Sequence, residues 1–364
     1  MARRVLLVAG GTGGHLFPAL ALREVLLRRG WAVNFATDAR VGEMIQGVPP
    51  EEVHRIQSAS IGGGTAGDKF RSLTTLAKGV LQSRRLLKRF RPAVIIGFGG
   101  YPSVPPAVAA RLAHIPVIAH EQNAVIGRAN RLIVRFGATL ATGFEHPKGA
   151  ERARRAVYVG NPVRKAIIEA VRLYQPPSED EPFRFLVFGG SQGAHAFSSL
   201  VPSALALLPP DMRLRIVVTQ QARAEDVKAT RQAYVGMGVQ SEVAPFFTDM
   251  GERLADAHLV LCRAGASTVA ELAVIGRPAI LVPYPHALDH DQTENARVLA
   301  EAGGAWLMPE SELTVSTLAK RLGTLCEAPD ELEEAAAAAQ SVGRVDAAER
   351  LADLVEESAG EPTV

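Results

Sequence analysis

A short apolar strand that runs into a glycine-rich turn and then a helix start occurs twice in this chain. That doubling limits the possible architecture more than any other feature. The first copy passes from Val5-Leu6-Leu7-Val8 into Gly10-Gly11-Thr12-Gly13-Gly14-His15. The second passes from Phe185-Leu186-Val187-Phe188 into Gly189-Gly190-Ser191-Gln192-Gly193-Ala194. Such a turn leaves several backbone N–H groups without helical partners, aimed at one spot where the helix dipole is positive. That spot suits a phosphate. One loop of this kind is a weak signal; two, each heading its own series of strands and helices, predict two facing domains with a phosphate-bearing ligand between them.

The rest of the sequence keeps the same rhythm. Residues 32–36, 93–96, 117–119 and 139–142 are short apolar segments of the kind buried in a parallel sheet. Residues 185–188, 215–219, 258–262 and 279–282 repeat the pattern, each followed by a helical segment. At 364 residues and 47% hydrophobic the chain is long enough for two cores. The expected class is α/β, with two Rossmann-like, doubly wound parallel-sheet domains. The boundary is expected near residue 160, at the Gly160-Asn161-Pro162 turn, although residues 174–182 have the more linker-like composition. This divides the chain into residues 1–160, residues 161–342 and a last helix in 343–364, striped by Val345, Ala348, Leu351, Ala352 and Val355.

Composition removes several classes of function. The net charge is +2 and aromatic residues make up 5%, with no basic stretch carrying stacking aromatics, so nucleic acid is not an expected partner. Two cysteines, Cys262 and Cys326, form no disulfide framework and lack metal-ligand spacing, which fits a reducing cytosol. The apolar run after Met1 is too short for a signal-peptide core and serves as the first strand. No run approaches the roughly 18 residues a membrane span needs, so the expectation is a soluble or peripheral protein.

One helix stands apart. From Lys69 to Arg91, the residues Phe70, Leu73, Leu76, Ala77, Val80 and Leu81 follow helical spacing. Lys69, Arg71, Lys78, Arg84, Arg85, Lys88, Arg89 and Arg91 surround them with no acidic residue between. A core-facing helix with a solvated basic face explains this pattern. So does a surface that docks on anionic lipid headgroups, with Phe70, Leu73, Arg84, Arg85 and Lys88 facing the membrane. The preceding Gly62-Gly63-Gly64-Thr65-Ala66-Gly67 has the composition of a loop that orders on binding.

Candidate chemistry gathers where strands end. His15, at the first helix start, is either a loop-bonded structural residue or a general base or phosphate donor. The register of Gly10-x-x-Gly13 fits the dinucleotide fingerprint poorly, though Asp38 leaves that possibility open. His120-Glu121-Gln122-Asn123 follows a strand directly, where α/β sheets bind ligands, and loop capping would also explain it. In Cys262-Arg263-Ala264-Gly265-Ala266-Ser267-Thr268-Val269-Ala270-Glu271, Thr268 and Glu271 stand three apart. A capping box accounts for both residues. The rival is a helix start facing a diphosphate, with Glu271 accepting hydrogen bonds from ribose hydroxyls. Gly160-Asn161-Pro162-Val163-Arg164 places a cation after a tight turn, and Asp289 to Asn295 place polar groups at another helix start.

Taken in order, GGTGGH, GFGGYPS (97–103), HEQN, GNPVR, GGSQGA, CRAGASTVAE and DQTENA (291–296) resemble the MurG family, the UDP-N-acetylglucosamine transferases of peptidoglycan synthesis. The resembling segments reach from residue 10 to 296, and as an ordered set they are highly specific. The resemblance implies a GT-B fold, two Rossmann-like domains across a cleft, with the last helix returning to the N-terminal domain. It implies inverting transfer of N-acetylglucosamine from UDP-N-acetylglucosamine to the 4-hydroxyl of lipid I, giving lipid II, by a peripheral enzyme on the cytoplasmic face of the cell membrane.

Carried over residue by residue, the resemblance puts Ser191 and its loop against phosphate, Arg164 beside the charge and Glu271 on the ribose. Phe247 would lie by uracil, Ala266, Ser267, Thr268, Val269 and Ala270 would line the nucleotide pocket, and Gln292 would bind the sugar. Thr12, Gly13, Gly14 and Asn123 would reach the sugar from the other domain, with His15 as the catalytic base. Phe247 replaces a smaller aliphatic residue, and Asp291 precedes Gln292 where the family often has histidine or glutamine. No cofactor is implied; helix starts and Arg164 can stabilise the leaving UDP, and no aspartate pair suggests a divalent ion. A hydrolysing UDP-N-acetylglucosamine 2-epimerase, a transferase with another acceptor and a non-catalytic nucleotide-sugar sensor are the competing readings.

Overall fold

The computed structural model describes residues 3–10, 13–38, 47–59, 65–190, 195–287 and 290–360. It divides into two units, Met1–Arg164 with Val345–Val364, and Lys165–Arg344. The first unit holds strands β1 (Arg4–Val8), β2 (Ala32–Thr37), β3 (Val53–Arg55), β4 (Val94–Gly97), β5 (Val117–Glu121), β6 (Thr139–Thr142) and β7 (Ala156–Tyr158). They form one sheet in the order β3-β2-β1-β4-β5-β6-β7, parallel throughout. Helices α1 (Gly13–Arg28), α2 (Ala66–Phe90), α3 (Val104–Leu112), α4 (Arg128–Arg135) and α14 (Ala347–Ala359) belong to the same unit.

The second unit carries β8 (Phe183–Phe188), β9 (Ile216–Gln221), β10 (Gln240–Ala244), β11 (Leu259–Cys262), β12 (Ala279–Leu281) and β13 (Ala305–Leu307). Their order is β10-β9-β8-β11-β12-β13, again all parallel. Its helices are α5 (Lys165–Glu169), α6 (His195–Ala206), α7 (Pro210–Arg215), α8 (Val227–Gly236), α9 (Met250–Asp256), α10 (Ala266–Ile275), α11 (Asp291–Glu301), α12 (Val315–Cys326) and α13 (Pro329–Ser341). In both sheets the winding reverses around the first strand, β1 in one and β8 in the other. Each glycine turn therefore leaves a pivot strand, where doubly wound sheets open a crevice at their carboxyl ends. That is the structural meaning of the repeated motif.

Burial follows the strand period. In β1, Val5 and Leu7 enter the layer beneath α1 and α14, while Leu6 and Val8 enter the layer with Leu86, Leu87, Ala109 and Ala110 of α2 and α3. α2 opens on a capping box, Thr65 with Asp68, and stops at Arg91, whose φ of 52° and following Pro92 prevent continuation. In the second unit the buried Arg277 donates to Ala255 O at 2.5 Å, Ile275 O at 3.0 Å and Gly276 O at 2.9 Å. Those carbonyls close α9 and α10, so one cation satisfies the C-terminal ends of both helices.

The sequence pattern missed four strands: β3, β7, β10 and β13. All four lie at sheet edges. All four are partly exposed; β3 and β10 contain polar residues, and β7 and β13 are apolar but only three residues long.

Candidate active site

In the first unit the site is built on the β1–α1 junction. Gly13 opens α1 and is buried, Gly14 is exposed, and His15 is partly buried. His15 Nδ1 lies 3.3 Å from Gly10 O. A carbonyl can only accept, so Nδ1 carries a proton. The imidazole rests on the loop after β4: a Cβ on Gly99 would sit 3.2 Å from both Cδ2 and Nε2. Gly99 and Gly100 also have φ of +89° and +70°, which glycine alone adopts cheaply. Gly10 has no room for a side chain either, since a Cβ would come within 2.6 Å of Pro102. Gly10 and His15 thus pack against Gly99, Gly100 and Pro102.

β5 ends beside it. His120 is fully buried, donates from Nε2 to Gly160 O at 3.1 Å and accepts at Nδ1 from Gln122 Nε2 at 2.9 Å. Burial pushes its pKa down to about 4, so the ring is neutral. The buried Glu121 carboxylate accepts from Asn123 N, Asn123 Nδ2, Gly127 N and Asn130 Nδ2 at 2.8–3.2 Å. Burial raises its pKa, against the pull of those four bonds. Glu121 therefore organises the turn into α4, as loop capping would have it. Asn161 Nδ2 donates to Gln122 O at 2.8 Å, and the Arg164 guanidinium stands 4.9 Å from the centre of the Phe17 ring.

This buried histidine gives a prediction about acid. With a folded pKa of about 4 against an unfolded 6.5, the unfolded chain binds more protons between those values. Stability should fall as pH drops below about 6.5, by about 3 kcal/mol once pH 4 is reached. Glu121 acts in the opposite sense: its raised pKa contributes stability at low pH that is lost as pH rises through the folded value. Urea melts of the protein and of His120→Gln across pH 4–7 should differ by close to one proton in slope; parallel curves would refute the assignment.

In the second unit α10 starts at Ala266 with Gly265 as its N-cap, and no side chain caps it. Thr268 is the third helical residue and Glu271 the sixth, so the expected capping-box explanation is wrong: the helix begins three residues earlier than that motif needs. The first N–H groups of α10 face outward at the carboxyl end of β11, with Ser267 Oγ buried and unpartnered beside them. Glu271 is buried one turn further on and, with burial, raises the Cys262 thiol pKa. The buried Asn295 donates to Ala264 O at 3.2 Å, tying the start of α11 to this loop, and Gln292 Oε1 accepts from Tyr284 N at 2.9 Å. Val269 is buried and Ala270 half-buried on the same helix.

Phe247 follows β10 at the same end of the sheet, but its ring is 6% exposed and lies under the Arg253 guanidinium at 4.1 Å. The neighbouring Phe246 is 65% exposed. Thr12 and Ser191 lie outside the described residues, as do Gly62 to Gly64 of the expected loop.

On α2 the predicted apolar stripe divides. Leu76, Leu86 and Leu87 face inward, whereas Phe70 (71% exposed), Leu73 (57%) and Leu81 face solvent. Ala77, Arg84, Arg85 and Lys88 are exposed too. Spacing of three and four puts 70, 73, 77, 81, 84 and 88 on one face, apolar at its start and cationic at its end.

Residues 5–142 match the glycosyltransferase family 28 N-terminal domain and residues 184–351 its C-terminal domain. The chain belongs to glycosyltransferase family 28. A relative from Rhodospirillum centenum is 53% identical over 362 residues, covering 98% of this chain and 94% of its own. It is named UDP-N-acetylglucosamine–N-acetylmuramyl-(pentapeptide) pyrophosphoryl-undecaprenol N-acetylglucosamine transferase. A Brucella abortus protein of the same name is 49% identical over 361 residues, 99% of this chain and 95% of its own. The crystal structure of Acinetobacter baumannii MurG superposes with a TM-score of 0.79 at 31% identity, covering 98% and 99% of the two chains. A putative UDP-N-acetylglucosamine 2-epimerase from Listeria monocytogenes reaches a TM-score of 0.67 at 13% identity, a likeness of fold alone. In family 28 terms, both glycine turns, HEQN and the α10 start fall inside or beside the matched domains. The sequence reading quoted Gln122 within HEQN without giving it a role and passed over Phe17; the polar run itself was the available signal for the first, and an aromatic two residues after His15 for the second.

Proposed function

We propose that this family 28 enzyme transfers N-acetylglucosamine from UDP-N-acetylglucosamine to the 4-hydroxyl of N-acetylmuramoyl-(pentapeptide)-pyrophosphoryl-undecaprenol, converting lipid I to lipid II for peptidoglycan. The observation that carries this reading is the end-to-end match, at about half identity, to relatives named for that reaction. The acceptor's 4-oxygen attacks the anomeric carbon, its proton passes to His15 Nε2, and the bond from that carbon to the diphosphate breaks to release UDP. One displacement inverts the configuration. The start of α10 and Arg164 offset the charge that grows on the leaving group. Glu271 holds the ribose, Gln292 the sugar, residues 266–270 the nucleotide, and Thr12, Gly13, Gly14, Asn123 and Ser191 complete the donor contacts.

The test is to supply labelled UDP-N-acetylglucosamine with and without a lipid I analogue, in the presence of a chelator. A labelled disaccharide lipid that forms only with the acceptor, and persists with the chelator, is expected. Epimerisation without acceptor, or tight binding with no turnover, would overturn the assignment.

The lipid acceptor also gives α2 its role. No described helix is long and apolar enough to cross a membrane. Phe70, Leu73 and Leu81 instead enter the headgroup boundary of the cytoplasmic leaflet while Arg84, Arg85 and Lys88 meet anionic lipid, at about 1 kcal/mol per cation near the surface. Replacing those three cations by glutamate should weaken binding to vesicles rich in anionic phospholipid more than tenfold at low salt, with an unchanged melting temperature. Equal binding would return α2 to a solvated face.

A further inference from the structure

We infer that Arg263 is a positioning residue for the donor sugar: it pins the turn after β12, and that turn fixes which end of the Gln292 amide meets the ligand. The inference rests on the sugar contact given to Gln292 above and adds what holds that side chain in place.

The sheet order β8-β11-β12-β13 brings four loops side by side at the carboxyl ends of their strands. Arg263 directly follows β11 and touches the segments that follow the other three. Its guanidinium carbon stands 5.0 Å from the centre of the Phe197 ring, on α6. It stands 5.5 Å from the centre of the Tyr284 ring, just past β12. Nη1 donates to Val282 O at 3.3 Å and Pro283 O at 3.2 Å. It also pairs with the Glu310 carboxylate, past β13, at 2.5 Å. The side chain is 11% exposed, so these partners replace most of its water. A planar guanidinium suits two rings and several oxygens at once, as a lysine ammonium does not.

The turn needs such a hold. Pro283 and Pro285 have no N–H, so Tyr284 carries the only main-chain donor in residues 283–285. Tyr284, Pro285 and His286 are all exposed, and burial does little to restrain them. The one donor goes to Gln292 Oε1 at 2.9 Å. An N–H can only donate, so the amide oxygen must be the atom that faces Tyr284. The NH2 group of Gln292 is left for another partner, and among the described residues it has none. It offers two donors, which the hydroxyl oxygens of a sugar can accept. Were Tyr284 to shift, the amide would lose its place and be free to turn its oxygen towards the ligand. Arg263 therefore acts on the sugar in two steps, from its guanidinium to the turn and from Tyr284 N to Gln292.

The experiment measures the Kd of UDP and of UDP-N-acetylglucosamine by calorimetry on the full chain, for the wild type, Arg263→Lys, Gln292→Ala and the double variant. Arg263→Lys should bind UDP-N-acetylglucosamine about tenfold more weakly, the scale of one hydrogen bond, with its affinity for UDP nearly unchanged. In the Gln292→Ala background the lysine substitution should cause no further loss. Tyr284→Leu keeps the main-chain N–H but removes the ring beside the guanidinium; it should repeat the pattern, and decides the matter if the lysine variant does not fold. Equal weakening of UDP and of the sugar nucleotide overturns the inference, making Arg263 a support for the nucleotide loop at large. Losses that add in the double variant overturn it too, since Arg263 would then act apart from Gln292. A Gln292→Ala protein that binds the sugar nucleotide as the wild type does would instead remove the sugar contact assigned above, and this inference with it.

Discussion

His15→Ala is expected to lower kcat about a thousandfold while the protein stays folded and still binds UDP-N-acetylglucosamine. The size follows from the general range for a positioned base, roughly 10²–10⁴. The direction follows from local geometry. Gly10 O accepts from Nδ1, so a base acting through this ring would act through Nε2. Gly99 and Gly100 then fix the ring plane from below, because any side chain at 99 would strike it. Alanine removes the base and keeps a helix-compatible backbone at the start of α1. Near-normal turnover of the variant with both substrates saturating would end the assignment.

How much of this was legible beforehand depended on which physical signal each residue carried. Nine strands were visible because they sit inside the sheets and read as unbroken apolar runs. β3 and β10 are broken by polar residues, and β7 and β13 are three residues long and partly exposed, so none stood out. Pairing geometry, which is non-local, decides their existence. The site divides along similar lines. Residues on glycine turns and at strand ends could be named from the motif, since the backbone geometry that exposes them is local. What their side chains do was not local: Glu121 is consumed by its own turn, and Phe247 by Arg253. The capping-box account of Thr268 and Glu271 failed for a different reason. Spacing of three fits either a cap or an interior position, and only the observed start at Ala266 separates them. In α2, helical spacing grouped Phe70 and Leu76 together, yet one face of that helix meets α3 and the other meets solvent.

Ending the chain at Arg344 should abolish the folding of the first unit while leaving the second unit cooperative. α14 packs along α1, and Ala348, Leu351, Ala352, Leu354 and Val355 are buried among Leu22, Val25, Leu26 and Phe35. At about 1.5–3 kcal/mol for each large side chain, Leu351, Leu354 and Val355 alone contribute roughly 5–9 kcal/mol, as much as many whole domains possess. The ion pairs that frame the helix, Arg28 with Glu349 and Arg29 with Glu349, Asp353 and Glu356, are largely exposed and count for little beside that. Glu349→Ala should therefore shift the melting midpoint by a degree or two, whereas the truncation should remove one calorimetric transition. It should also expose a leucine-lined face on α1 and drive aggregation. A soluble truncated protein with two intact transitions would show that α14 only decorates the unit. The arrangement has a consequence during synthesis: the first unit's core cannot close until the last helix has been made. Its first 164 residues must remain incomplete while the whole second unit, which is continuous in sequence, is free to fold.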